Sequence, residues 1–327
     1  MSTGLHLREK KKAPDSKKTG EVEVELTQPF SLEQSAECGQ AFRWERSGDS
    51  YYSVLGDVVL KVRQEGAKLF ARLCPDRDCF STLSLVGDVF RFDDNVDGII
   101  AELSADPLIA ESVSSHRGLR LIRQDPWECL ISYLCSINSN IPRIKGDVER
   151  LSRKYGREIA FDGRPFYTFP SVDALAGAEE DELRKLKTGF RAKYIVSAAR
   201  KVKDEKIDLI SFRKRSYEDA FEELCTFNGV GPKVADCVLL FSMDKLEAFP
   251  VDRWVRRGVE LVYFGGRKLT EKRVREWSRM HFGRFAGYAQ EYLFYSSRLR
   301  ELAAGITSHN VSAGADKSVS PAGNRQN

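Results

Sequence analysis

Residues 224–252 read LCTFNGVGPKVADCVLLFSMDKLEAFPVD, and no other stretch limits the fold so tightly. Two helical patterns meet at the turn Asn228-Gly229-Val230-Gly231. Ser216 suits the N-cap of the first helix, with Asp219 three residues on as a weaker capping box. Phe221, Leu224 and Cys225 then fall on one helical face. Pro232 suits the first position of the second helix, where a missing N–H costs nothing. Val234, Ala235, Val238, Leu239 and Phe241 are available there for burial. Glycine allows positive φ and close approach, so Gly229 and Gly231 can turn backbone N–H groups toward an anion such as a phosphate. Lys233 lies just inside the second helix, on the face it shares with Cys237. Asp252 follows Lys233 by nineteen residues. An amine and a carboxylate beside a bound phosphate point to chemistry on a nucleotide. Each feature alone has a plainer reading: a tight connection, a solvated lysine, an N-cap before RWVRRGVELV.

Charge distribution supports a polyanionic partner more than total charge does. The chain of 327 residues carries a net charge of only +4. Between Arg253 and Arg284, however, ten Lys/Arg stand against three Glu, a local balance of +7, and 184–215 is also basic. Basic segments beside a phosphate-binding turn suit nucleic acid; the alternative is a solvated helix face. The hydrophobic fraction of 42% permits a substantial core, in two domains or one large one. Seven scattered cysteines, an odd number, argue against a disulfide framework, and four histidines against a dedicated zinc site. No run of about eighteen apolar residues is present, and MSTGLHLREKKK lacks the apolar stretch of a secretory signal. An intracellular location is expected: the nucleus in a eukaryote, the cytoplasm or nucleoid in a prokaryote.

The chain is expected to be α+β, a small N-terminal antiparallel β-sheet domain followed by an all-α core. Residues 1–20 read as a disordered basic tail, whose lysines add non-specific DNA attraction or merely solubility. Residues 21–105 form the β domain, with strands at 22–26, 51–55, 57–62 and 68–72. Residues 106–303 form the helical core, with its hairpin at 216–243, and 304–327 a disordered tail. Helices are expected over 94–103, 108–116, 126–136, 142–155, 179–187, 191–203, 216–226, 232–243, 252–264, 270–281 and 285–300. Asp125-Pro126 is a clear start signal.

Further motifs accompany the hairpin: ECGQAFRW (37–44), RQDPWECLISYLCSINSNIPRI (123–144), GFRAKY (189–194), GVGPKVADC (229–237), PVD (250–252) and FAGYAQEYLF (285–294). With them the chain resembles the helix-hairpin-helix (HhH-GPD) glycosylases of base-excision repair, and within these the 8-oxoguanine DNA glycosylase/AP lyase family. The resemblance spans roughly residues 20–300. The chain has no cysteine after Cys237, so it lacks the iron–sulfur loop of many endonuclease III relatives.

The resemblance implies an enzyme that flips 8-oxoguanine out of a duplex, excises it opposite cytosine through a lysine Schiff base, and cleaves the abasic site by β-elimination. The nucleophile would be Lys233. A free lysine is about 99.9% protonated at neutral pH, but the positive end of a helix dipole and partial burial both disfavour its charge. Asp252 would stabilise positive charge on the sugar and shuttle protons. Gly39 would accept, through its carbonyl, the N7 hydrogen that 8-oxoguanine has and guanine lacks. Cys237 and Phe294 would sandwich the base, and Gln290 would bond its pairing edge. Asn138, Arg143 and Arg191 would fill the vacated space and bond the estranged cytosine, and Phe190 would be the wedge, where relatives commonly have tyrosine. Gly229 and Gly231 would bind phosphate. Read singly, Gly39 is a turn glycine, Phe294 core, and the arginines surface salt bridges.

No cofactor or metal is called for. The expected partner is double-stranded DNA containing 8-oxoguanine, with no membrane, and a monomer is expected. Two departures stand out. Trp254 occupies the place of a family histidine, leaving Arg253 or Arg256 to make the phosphate contact, and Asn228 stands where proline is common. The alternatives are a glycosylase for alkylated or deaminated bases, a non-catalytic DNA-binding module, or a helical scaffold. Lys233 argues against a purely monofunctional glycosylase, Lys233 together with Asp252 against a silent binding module, and the basic hairpin region against a scaffold.

Overall fold

Strict alternation in VEVE makes Val22–Glu25 (β1) a half-buried strand, with Val22 and Val24 inward and the glutamates out. The remaining strands are β2 (Glu45–Ser47), β3 (Ser50–Leu55), β4 (Val58–Glu65) and β5 (Lys68–Cys74). They form one antiparallel sheet in the order β1-β5-β4-β3-β2. The computed structural model describes residues 20–298. The expected terminal tails, apart from Gly20, lie outside the described residues.

Both faces of this sheet are covered. Tyr51, Leu60 and Val62 pack under α1 (Leu32–Glu37) and α2 (Cys79–Val89), while their neighbours Tyr52, Val54 and Val59 face the other way. That second face receives a hairpin absent from the sequence-based expectation, β6 (Glu158–Phe161) and β7 (Arg164–Tyr167). Its turn, Asp162-Gly163, has φ of +47° and +72°, which only Asp/Asn and Gly adopt readily. Asp162 ties the hairpin down by accepting from Tyr52 Oη at 2.9 Å and Lys61 Nζ at 2.7 Å. Helices α1 and α2 and strand β2 were likewise not anticipated.

The helical part comprises α3 (Val96–Leu103), α4 (Pro107–Ser115), α5 (Pro126–Cys135), α6 (Ile141–Tyr155), α7 (Val172–Ala176), α8 (Glu180–Lys185) and α9 (Ala192–Asp204). After these come α10 (Tyr217–Cys225), α11 (Pro232–Ser242), α12 (Arg253–Phe264), α13 (Glu271–Phe282) and a last helix, α14, over residues 286–298. Among the described residues no helix is long and apolar enough to cross a membrane.

Two helices lie at the centre because they are apolar on nearly every side. In α5, Cys129 through Cys135 are all buried, and in α11 so are Val234 through Ser242. They run antiparallel: Gln124 N donates to Phe241 O at one end, and Lys233 meets Ser136 at the other. The C-terminus of α5 and the N-terminus of α11 therefore open at the same end of the core. Truncating a leucine in this pair, such as Leu239→Ala, belongs to the class of core changes that cost about 2–5 kcal/mol.

Candidate active site

The hairpin forms as its sequence dictates. Ser216 Oγ accepts from Asp219 N at 3.0 Å and donates to the Asp219 carboxylate at 2.7 Å, closing the cap of α10. Gly229 has φ +87°, and a Cβ there would lie 2.5 Å from the Tyr194 ring, so the position demands glycine twice over. Gly231, the N-cap of α11, has ordinary extended geometry and open space where a Cβ would be. The N–H groups of Gly229, Gly231, Lys233 and Val234 find no protein acceptor among the described residues. Free donors of this kind at a helix N-terminus are suited to an anion such as a phosphate.

Lys233 points from these donors toward the end of α5. Its Nζ lies 3.2 Å from Ser136 Oγ and 5.0 Å from the centre of the Tyr133 ring. No carboxylate among the described residues comes within ion-pair distance of it. Cys237, one turn further on, is buried beside the amine; burial pushes its thiol up to about 12, against the opposing effect of Lys233, so it stays an uncharged, polarisable surface.

Asp252 caps α12 through one oxygen only. Its Oδ1 accepts from Trp254 N at 2.9 Å and Val255 N at 2.7 Å, and its Oδ2 has no hydrogen-bond partner among the described residues. One carboxylate can thus both cap the helix and face the site. Its charge acts on both Cys237 and Glu291, raising the pKa of each.

The residues expected to receive the base sit on the 38–40 loop and α14. Gln40 fixes the loop: its amide donates to Ser35 O and Arg120 O at 3.0 and 2.8 Å and accepts from Ile122 N at 2.8 Å. Tyr133 Oη donates to Gln40 O at 2.8 Å, joining this loop to the ring beneath Lys233. Gly39, at φ +106°, borders a cavity of about 220 Å³ that also touches Ile141 and Arg298. Gln290 is buried with its Oε1 unpaired, and Phe294, one turn on, is half-buried against the main core. A larger cleft, about 490 Å³, lies away from Lys233, between Tyr52, Lys145 and the β6–β7 hairpin.

Three helices of the core and the loop after α1 thus bring together an amine with no carboxylate partner among the described residues, a half-used carboxylate, free backbone N–H donors and a polar-edged apolar wall. Residues 22–130 match the pattern of the 8-oxoguanine DNA glycosylase N-terminal domain, and residues 131–280 that of HhH-GPD superfamily base-excision DNA repair proteins. The N-glycosylase/DNA lyase OGG1 of Arabidopsis thaliana is 37% identical over 83% of this chain and 77% of its own. This chain belongs to the 8-oxoguanine DNA glycosylase family.

Solved structures agree. The Clostridium acetobutylicum 8-oxoguanine glycosylase/lyase, bound to double-stranded DNA with cytosine opposite the lesion, is 34% identical with a TM-score of 0.81, covering 85% of this chain and 95% of that one. The 3-methyladenine DNA glycosylase of Archaeoglobus fulgidus shares the fold at 21% identity, with a TM-score of 0.72 over 84% and 98% of the two chains.

The residues expected to face the opposite strand lie around the end of α5. Asn138 is exposed at φ +48°, Arg143 is exposed on α6, and Phe190 is 46% exposed on the turn before α9. Arg191 departs from expectation. It is 1% exposed, and its guanidinium donates to Ile137 O at 2.7 Å, Asn138 O at 2.8 Å and Thr188 O at 3.4 Å. The left-handed residue at 138 breaks the helix and leaves carbonyls unpaired, and Arg191 satisfies them. It holds the Asn138 turn in shape in the free protein.

Around Trp254, which is 37% exposed, Arg253 is exposed and forms no ion pair among the described residues, whereas Arg256 is engaged by Glu260 and Glu271. Of the two replacements expected for the family histidine, Arg253 is the one free to meet a phosphate. Ser136 and Tyr133, which touch Lys233, were not singled out from sequence, although their three-residue spacing at a helix end was visible. The basic stretch is also less bare than its composition implied, since Lys268, Lys272, Arg279 and Arg284 pair with glutamates.

Proposed function

We propose that this protein excises 8-oxoguanine opposite cytosine in duplex DNA and then cleaves the abasic strand. The observation that carries the reading is the position of Lys233 Nζ, at the open end of the α5–α11 pair, in contact with a hydroxyl and free of any carboxylate among the described residues. The free N–H donors of the hairpin bind the backbone phosphate, and the flipped nucleotide presents C1′ to Nζ. As the C1′–N bond forms, the glycosidic bond breaks and its electron pair leaves with the base, which takes up a proton. Asp252 Oδ2 faces the sugar and stabilises the positive charge that develops. Ring opening leaves a C1′=N⁺ Schiff base, loss of a C2′ proton follows, and the C3′–O bond breaks.

In this reading Gly39, Gln290, Cys237 and Phe294 receive the base. Asn138 and Arg143 face the orphaned cytosine, supported by Arg191, and Phe190 is the wedge. Domain boundaries near residues 105 and 303 and a monomeric state complete the proposal. Borohydride trapping on duplexes with 8-oxoguanine opposite each of the four bases tests it. The adduct should form most readily opposite cytosine. Its absence from all four duplexes would refute the lysine route, and equal yields would refute the cytosine preference.

A further inference from the structure

Reading one hydrogen on N7 requires a carbonyl that cannot move. Guanine presents a lone pair at that atom, so a mobile carbonyl could retreat from it and lose the distinction. Gln40 fixes the Gly39 loop on one side. On the other, the loop is held by Arg298, a residue no site motif contains.

Arg298 Nη1 donates to Cys38 O at 2.7 Å and to Glu37 O at 3.0 Å. These two carbonyls end α1, where no further helix turn exists to pair them. A Cβ on Gly39 would sit 3.0 Å from the same Nη1 and 2.5 Å from Ile141 Cδ1, so the guanidinium lies directly against the Gly39 backbone. Seven residues earlier on the same face of α14, Glu291 is 2% exposed, lies beside the Cys38 thiol and keeps Oε1 unpaired. Burial pushes its carboxyl up to about 7, with the charge of Arg298 opposing that rise.

We propose that Arg298 is a positioning residue for base selection: it clamps the 37–39 turn to α14 and so fixes the Gly39 carbonyl relative to Gln290 and Phe294. This inference rests on the reading of Gly39 as the carbonyl that meets N7. Its logic is that α14 carries both devices. Gln290 and Phe294 face the base from that helix, and Arg298 ties the second reading head to the same rigid element. The two edges of the base are then measured against one helix rather than two independent parts.

The test compares two reactions of the full chain: single-turnover excision of 8-oxoguanine, and cleavage of a preformed abasic site, which has no base to read. Misplacing a positioned group by ~1 Å can cost about 10²-fold, so Arg298→Met should slow excision at least ~10-fold. Abasic cleavage and melting temperature should stay near wild type. Arg298→Lys, which keeps a charged donor without the fork, should recover part of the loss. Unchanged excision by Arg298→Met overturns the proposal. So does a parallel loss of both reactions with a lowered melting temperature, or an Arg298→Lys no better than Arg298→Met. Gly39→Ala separates this from the reading beneath it: normal excision by Gly39→Ala would refute the role of Gly39, whereas normal excision by Arg298→Met alone would refute only the clamp.

Discussion

A lysine in the first turn of a helix usually ends in solvent. Lys233 instead ends on Ser136 and over Tyr133, with no carboxylate in ion-pair reach among the described residues. Lys233→Gln should abolish the borohydride-trapped adduct and leave binding to damaged duplex largely intact; a normal adduct yield would remove Lys233 from the chemistry. Asp252 divides its oxygens between cap and site, and that division predicts a separable effect. Asn caps about as well as Asp, so Asp252→Asn should keep its unfolding midpoint while excision slows by at least ~10²-fold. Retained activity with lowered stability would make the residue a cap and nothing more. The places of these two residues, just inside the second hairpin helix and at the cap of α12, were legible in the sequence. The contacts of Ser136, and the commitment of Arg191 to carbonyls, were not. The second depends on the left-handed turn at Asn138, which no local signal announced.

The hairpin was readable as an element because its turn, cap and proline each act over a few residues. The β6–β7 pair was missed although Asp162-Gly163 is a strong turn signal, because the surrounding helical period outweighed a strand of four residues. What local rules cannot give is the environment behind the hairpin. Asp236 on α11 is fully buried, accepts from Tyr217 Oη at 2.5 Å and leaves Oδ2 unpaired. Burial pushes its carboxyl up to about 7 from 3.8, against the bond from Tyr217 and the charges of Arg275 and Arg279. The native state therefore holds this proton where the unfolded chain has released it. With more protons bound by the native state, stability must fall as pH rises between those two values. Asp236→Asn keeps an acceptor for Tyr217 and lacks the titration. Between pH 5 and 7 the stability difference should move in favour of the variant by about 2–3 kcal/mol. Denaturant unfolding at several pH values measures this, and a difference that does not change with pH would show that Asp236 is ionised in the native state.

At the scale of the whole molecule, the site exists because parts distant in sequence meet at one end of the α5–α11 pair. The 38–40 loop comes from the β domain, Asn138 from the end of α5, Phe190 and Arg191 from the turn before α9, and Gln290 from α14. Order along the chain gave α+β, and apolar periodicity gave most helices, since both follow from local pattern. The packing of the hairpin on the second face of the sheet, and Arg298 on the Gly39 turn, are long-range contacts that no window contains. The same assembly separates two arginines that the motifs treat alike. Arg143 is exposed, and its guanidinium has no hydrogen-bond or ion-pair partner among the described residues. Arg191 is buried and donates to three backbone carbonyls. Cytosine offers adjacent O2 and N3 acceptors to a forked donor; thymine and adenine offer no such pair, and guanine presents donors. Arg143→Ala should therefore reduce excision opposite cytosine more than opposite adenine, by about 1–3 kcal/mol, the usual worth of a base-edge contact. Its folding stability should be unchanged, as for most exposed positions. Arg191→Ala should narrow the preference as well, because the Asn138 turn loses its support, and should also lower unfolding stability by about 1–3 kcal/mol as buried carbonyls lose their donor. Excision on all four duplexes at two salt concentrations, together with denaturant unfolding, separates the roles. A loss from Arg143→Ala that is uniform across the four bases, with a flatter salt dependence, would mean that this residue grips phosphate and reads nothing. An Arg191→Ala protein as stable as wild type would mean that the turn at Asn138 stands without it.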